Sequence, residues 1–207
     1  MENWFENYWH FAFGFVVQLL FSVRTFVQWI ISEKSKRVVS PVIYWQISLL
    51  ASFLYVIYGW LRVDFAIIFG QCFSYYIYIW NLNILNQWGK IPRSLRYIVW
   101  FMPLSVIGIL AFTLKGNIPF GLLMFGSFGQ IIMAFRFIYQ WWYSRKAGQS
   151  LLPNGFWILS IIGSISILIY GIIRKDPVLI IGQGAGIVTI TYSRNLFLNW
   201  KNRIRNK

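Results

Sequence analysis

Shifted by 112 residues, this chain matches itself without an insertion. Residues 8–85 fall on 120–197, and 21 of the 78 pairs are identical. The pairs include Gly14/Gly126, Gln18/Gln130, Arg24/Arg136, Gln28/Gln140, Pro41/Pro153, Trp45/Trp157, Ser48/Ser160 and Tyr58/Tyr170. Arg62/Arg174, Asp64/Asp176, Gly70/Gly182, Gln71/Gln183 and Asn83/Asn195 complete the polar set. A repeat that extends through the loops commits both copies to one fold and is therefore read before any motif.

Each copy is apolar enough to belong in lipid. The 207 residues are 58% hydrophobic and only 12% charged, whereas a soluble domain carries about twice that charge. Long apolar runs predict spans at 8–31, 41–61, 65–85, 97–114, 120–143, 154–173 and 177–199, each long enough to cross a bilayer. The basic loops SEKSKRVVSP and SRKAGQSLLP end in Pro41 and Pro153, and LRVD and IRKDP read as tight turns. Three crossings leave a chain on the side opposite its start, so two parallel copies need an odd number of spans between them. The run 97–114 has no repeat partner and supplies that linker. The expected fold is an all-α integral membrane protein of seven transmembrane helices in a 3+1+3 order, with two parallel repeats about a pseudo-twofold along the membrane normal. Its units are a first three-helix repeat at 8–85, a linker with the fourth helix at 86–119, a second repeat at 120–199 and a basic tail at 200–207.

The basic residues orient this arrangement. With the N-terminus outside, twelve Lys and Arg fall in cytoplasmic segments: Lys34, Lys36, Arg37, Lys90, Arg93, Arg96, Arg145, Lys146, Lys201, Arg203, Arg205 and Lys207. Four fall outside: Arg62, Lys115, Arg174 and Lys175. Cytoplasmic loops carry the excess, so the expectation is a multi-pass protein with its N-terminus outside and its C-terminus cytoplasmic. The net charge of +14 then records orientation rather than a nucleic-acid partner. The opening MENWFEN is acidic and aromatic, unlike the basic start of a cleavable signal.

Two arginines lie inside apolar runs, Arg24 in FSVRTFVQWI and Arg136 in FRFIYQWWYS. Such a placement costs about 2.5–3.5 kcal/mol on the insertion scale. Three readings fit: the guanidiniums snorkel to the inner interface, they pair with helix carbonyls or a glutamine, or they converge into a phosphate or carboxylate site. Arg194, where the first repeat has Leu82, adds a cation to one half only. Gln18, Gln28 and Gln71, with Gln130, Gln140 and Gln183, form a polar stripe in each half that reads either as lining of a central cavity or as interhelical glue. Asp64 and Asp176 each follow an arginine by two residues, which suggests a local turn-capping ion pair, with gating as the sharper alternative. Pro41 and Pro153 mark helix starts of structural or gating character. One cysteine, Cys72, excludes an intrachain disulfide. No HxxxH, CxxC or Ser/His/Asp set occurs, so no metal, cofactor or catalytic residue is expected.

Together, GFVVQLLFSVRTFVQWIISEKSKRVVSPVIYWQIS and RKDPVLIIGQGAGIVTITYSRNLFL resemble the lipid-A-disaccharide synthase N-terminal domain family, over nearly the whole chain and in two copies. The family pattern falls on Gln18, Arg24, Gln28, Trp29, Ser32, Glu33 and Pro41, and again on Gln130, Arg136, Gln140, Trp141, Ser144 and Pro153. Its last motifs fall on Asp176, Pro177, Gly182, Gln183, Arg194 and Asn195. Phe65, Leu82 and Arg145 depart from it, so the halves are not equivalent. The resemblance implies an architecture similar to PQ-loop and SWEET-type transporters and an association with lipid A biosynthesis in the bacterial inner membrane. The leading expectation is a transporter or flippase-like protein, not itself an enzyme, for a phosphorylated glycolipid or polyprenyl-phosphate-linked sugar. Arg24, Arg136 and Arg194 would hold the phosphate, and the glutamines the sugar or headgroup. The alternatives are a non-transporting partner of a separate glycosyltransferase and a SWEET-like small-sugar carrier. A homo-oligomer is compatible with each.

Overall fold

A computed structural model describes residues 4–35, 40–113, 119–147 and 153–188. The side chains of residues 4–8, 110–113, 141, 144, 145 and 147 lie outside that description, as do Arg194, Asn195 and the tail 200–207. Every regular element among the described residues is helical: α1 (Trp4–Ser35), α2 (Val42–Leu61), α3 (Phe65–Ile84), α4 (Arg93–Thr113), α5 (Phe120–Ala147), α6 (Asn154–Ile173) and α7 (Pro177–Val188). A single 3-10 turn, Trp88–Lys90, precedes α4. Four of these helices, α1, α2, α5 and α6, are long and apolar enough to cross a membrane. The helices α3 and α4 have comparable length, 20 and 21 residues, but tyrosines, asparagines and arginines dilute their apolar character.

The two tight turns are built alike and explain why the repeat tolerates no insertion there. In each, the helix ends in a left-handed residue, Val63 at φ 49° and Lys175 at φ 50°. The next amide reaches back to close the turn, Asp64 N–H to Gly59 O at 2.8 Å and Asp176 N–H to Gly171 O at 2.9 Å. The left-handed amides themselves bond Trp60 O and Ile172 O. This is the Schellman pattern, whose left-handed position ordinarily takes glycine. A β-branched valine there costs on the order of 1 kcal/mol or more. The aspartate after it starts the next helix: Asp64 Oδ1 accepts from Ile67 N–H, and Asp176 Oδ1 accepts from Val178 and Leu179 N–H. At the other end of the bundle, Pro41 and Pro153 occupy equivalent places ahead of α2 and α6, both at φ −69°. One end of the bundle, termed the acidic end for its two aspartates, thus holds the two tight turns together with Arg62, Arg174 and Lys175, and the other, basic end holds the Pro41 and Pro153 loops.

Within each half, consecutive helices pack together, α1 on α2, α2 on α3 and α5 on α6. Between halves, the third helix of one meets the first helix of the other. Gly70 of α3 receives the Gln130 side chain of α5, so closely that a Cβ at Gly70 would overlap it. The same contact recurs with halves exchanged, Gly182 of α7 against Gln18 of α1, where a Cβ would come within 2.5 Å of the amide. Tyr58 and Tyr170 likewise lie against Gly14 and Gly126. The two Gly–Gln contacts cross from one copy to the other, whereas the two Gly–Tyr contacts recur within each copy.

The linker helix α4 packs on the first half, against α3 and α2. Its attachment follows from Pro103. Proline has no N–H, which deprives the carbonyl four residues earlier of its helical donor. That carbonyl belongs to Val99, and the Tyr75 hydroxyl donates to it at 2.7 Å. Tyr76 donates to Trp100 O at 2.9 Å. The second repeat has Ile187 and Val188 at the matching positions and offers no hydroxyl for such a bond.

Candidate functional site

Both aspartates are buried at the acidic end, each 1% exposed, and their partners correct the expectation of local ion pairs. Arg62 pairs not with Asp64 but with Asp176, at 3.3 Å. Arg174 in turn lies 3.4 Å from Asp64, near enough for an ion pair although its N–H is not aligned for a hydrogen bond. The Tyr58 hydroxyl donates to the Asp176 carboxylate, 2.8 Å from both oxygens, and Tyr170 donates to Asp64 at 2.8 Å. The capping half of the expectation holds, since each aspartate caps its own helix. The counter-ion comes from the opposite repeat. Each arginine reaches across to the other repeat's aspartate, while each aspartate also accepts from the amides of its own helix. Burial pushes the Asp64 carboxyl above the usual range, while the Tyr170 hydroxyl, the Ile67 amide and Arg174 pull it back.

One participant has no repeat counterpart. His10 Nε2 lies 3.4 Å from Arg62 Nη1, where the second repeat has Leu122. A lone histidine near a span boundary carried no sequence signal. Its position beside Arg62 emerges only once α1 packs on α2.

The arginines in the spans occupy the interior toward the basic end. Arg24 is held by two other helices: its Nη1 donates to Ser48 Oγ at 3.0 Å and to Tyr78 Oη at 2.9 Å. The guanidinium lies over Phe21 at 4.6 Å, with the Tyr44 and Tyr78 rings at 5.4 and 5.5 Å. Arg136 lies over Phe137 and Phe156, at 4.7 and 5.5 Å. The contact between Gly70 and Gln130 sets the level of α3 against α5. From there Tyr78 is eight residues on and Arg136 six, about 12 and 9 Å along parallel helices at 1.5 Å per residue. Arg24, Arg136, Tyr44 and Tyr78 accordingly share one electrostatic neighbourhood. The Nε of both arginines is buried and without a hydrogen-bond partner. Tyr44 was not singled out in the sequence. It is replaced by Phe156 in the second repeat, and Tyr78 by Ile190, so these two tyrosine hydroxyls have no repeat counterpart, whereas Ser48 keeps one in Ser160.

The glutamines divide among contacts between helices. Gln71 Oε1 accepts from Ser52 at 2.7 Å, Gln18 Nε2 reaches Tyr55 at 3.4 Å, and Gln28 Nε2 donates to Ser40 at 3.0 Å. Gln130 is buried against Gly70, and Gln140 and Gln183 are half-buried. Arg194, the third cation expected at the site, lies outside the described residues.

Long apolar helices with paired arginines in their interior define a helical membrane protein. The profile of the family described as Lipid A Biosynthesis N-terminal domain matches twice, over residues 13–83 and 125–197, with starts 112 residues apart. The chain belongs to this family. It is similar to the lipid-A-disaccharide synthase of Chlamydia pneumoniae, 27% identical over 203 residues, covering 90% of this chain and 33% of that protein. The enzyme of the same name from Chlamydia muridarum is 28% identical over 200 residues, with 86% and 32% covered. That from Chlamydia trachomatis serovar D is 26% identical over 205 residues, again with 86% and 32% covered. The chain therefore spans about a third of the length of these curated relatives, and its family ties it to lipid A biosynthesis. No solved structure matches it.

Proposed function

We propose that this protein is a seven-span, 3+1+3 membrane carrier, of flippase type, for a phosphorylated lipid of the lipid A pathway. The observation that carries the reading is the arginine pair: two half-buried arginines in one neighbourhood, each with a buried, unpartnered Nε, and no carboxylate set against them among the described residues. A phosphate is the group whose oxygens satisfy such donors. The reciprocal contacts between halves support parallel repeats, and the excess of basic residues at one end supports an inner-membrane orientation with the N-terminus outside. In that orientation the acidic end is the outer mouth. The Asp64–Arg174 and Asp176–Arg62 pairs hold it shut, and Asp64 and Asp176 act as its gate. Arg24 and Arg136, with Arg194, hold the phosphate, and the glutamines of the same helices stand above it.

The lengths of the relatives favour a second reading. They carry the matched segment within a chain about three times as long and are named as synthases, so the segment also fits a membrane partner that feeds a glycosyltransferase. The experiment that tests the carrier reading is native mass spectrometry of protein extracted from its own membrane, followed by reconstitution with the recovered lipid and a leaflet-exchange assay. A phosphorylated lipid that is retained by the protein, is lost in Arg136→Gln and is moved between leaflets supports it. Retention without exchange assigns the partner role, and absence of any phosphorylated lipid removes the anion site.

A further inference from the structure

The arginine pair also constrains the charge of its ligand, an inference that rests on the anion-site reading above. Arg24 and Arg136 bring two positive charges into one neighbourhood, and a guanidinium does not shed its proton in a protein. Among the described residues, the groups facing them from the packed helices are neutral: Phe21 of α1, Tyr44 and Ser48 of α2, Tyr78 of α3, Phe137 of α5 and Phe156 of α6. The aspartates are committed at the opposite end. Glu33 lies nine residues beyond Arg24 on α1, roughly 13 Å along the helix. Away from water, uncompensated charge is expensive. A singly charged ligand leaves at least one guanidinium of the pair unbalanced, whereas two negative charges balance Arg24 and Arg136; Arg194, proposed beside them, only adds to the demand for a second negative charge. The free Nε of each arginine lets the pair grip one many-oxygened anion from two helices, since Arg24 already spends its Nη1 on Ser48 and Tyr78.

We infer that the site takes a headgroup carrying two negative charges, a phosphate monoester or a pyrophosphate, in preference to a phosphodiester or a carboxylate. This narrows the ligand. A sugar joined to a polyprenol through one phosphodiester is disfavoured, and a polyprenyl phosphate or a glycolipid with a free phosphate is favoured.

The test compares phosphatidic acid, a monoester, with phosphatidylglycerol, a diester of similar chains, binding to the unaltered full chain in neutral nanodiscs. At pH 7.5 phosphatidic acid is expected to bind at least tenfold more tightly. The gap should close as the pH falls through the second ionisation of the phosphate monoester, because both lipids then carry one charge. Arg136→Gln should reduce phosphatidic acid to the affinity of phosphatidylglycerol, and Arg136→Lys, which keeps the charge, should retain part of the preference. Inorganic phosphate at equal concentration should not displace the lipid; displacement would overturn the lipid headgroup as the ligand's source. Equal, Arg136-dependent binding of both lipids at pH 7.5 overturns the dianion inference and leaves the anion site standing. Binding of neither overturns both.

Discussion

The exchange of counter-ions between repeats makes a quantitative prediction that separates it from local pairing. In Arg62→Gln, Asp176 stays buried with Tyr58 and two amides but loses its cation. A hydrogen bond to a charged group contributes about 1.5–3 kcal/mol. The Arg62 side chain is 21% exposed and its Nε lies 3.3 Å from the carboxylate, so partial screening brings the expected coupling to about 1–2 kcal/mol. In a double-mutant cycle, Arg62→Gln and Asp176→Asn should be non-additive by that amount, although they stand 114 residues apart. Arg62→Gln and Asp64→Asn, two residues apart, should add within about 0.5 kcal/mol. Reversible unfolding in mixed micelles gives all the required free energies. Coupling in the two-residue pair, with additivity in the distant one, would refute the exchanged arrangement and restore local turn pairs.

Three further outcomes follow from the packing. Tyr75→Phe strips the donor from the Val99 carbonyl and should cost about 1–3 kcal/mol of unfolding free energy; Pro103→Ala, which restores an amide four residues on, should recover much of it. Gly70→Ala should destabilise more than Gly182→Ala, because the added Cβ meets the rigid start of the Gln130 side chain in one case and the flexible end of Gln18 in the other, and Gln18→Ala should rescue only Gly182→Ala. Val63→Gly should raise thermal stability, by about 1 kcal/mol, by relieving the left-handed valine at φ 49°; an unchanged or lowered melting temperature would show that the turn is not strained.

Much of the scaffold could be read from residue order. The helix starts at Pro41 and Pro153, the turns before Asp64 and Asp176 and the unmatched linker follow from local patterns that need no tertiary information. What could not be read is which copy each polar group answers to. Arg62 and Asp64 are neighbours in sequence, and only the packed structure shows that each pairs with the other repeat. Gln18 and Gly182 both appear among the repeated residues, but no spacing announces that one fills the space left by the other. Tyr75 and Pro103 look unrelated until the deprived carbonyl at Val99 joins them. The arginine pair was legible as a question. Its answer needed the hydroxyls of Ser48 and Tyr78, which come from two other helices.

The exchanged ion pairs are symmetric in space but not in time. Asp176 leaves the ribosome after Tyr58 and Arg62 have long been made, so its partners await it. Asp64 emerges 106 residues ahead of Tyr170, an interval of roughly 5–20 s at typical elongation rates. Throughout that interval α3 begins with a carboxylate whose cation does not yet exist, and the first three helices cannot complete their own interior. The nascent half must keep this end in contact with water, or with an insertion factor, until α6 arrives. Stalled chains ending before Tyr170 should therefore remain accessible to water-soluble probes at Asp64, while chains extended past Arg174 close over it.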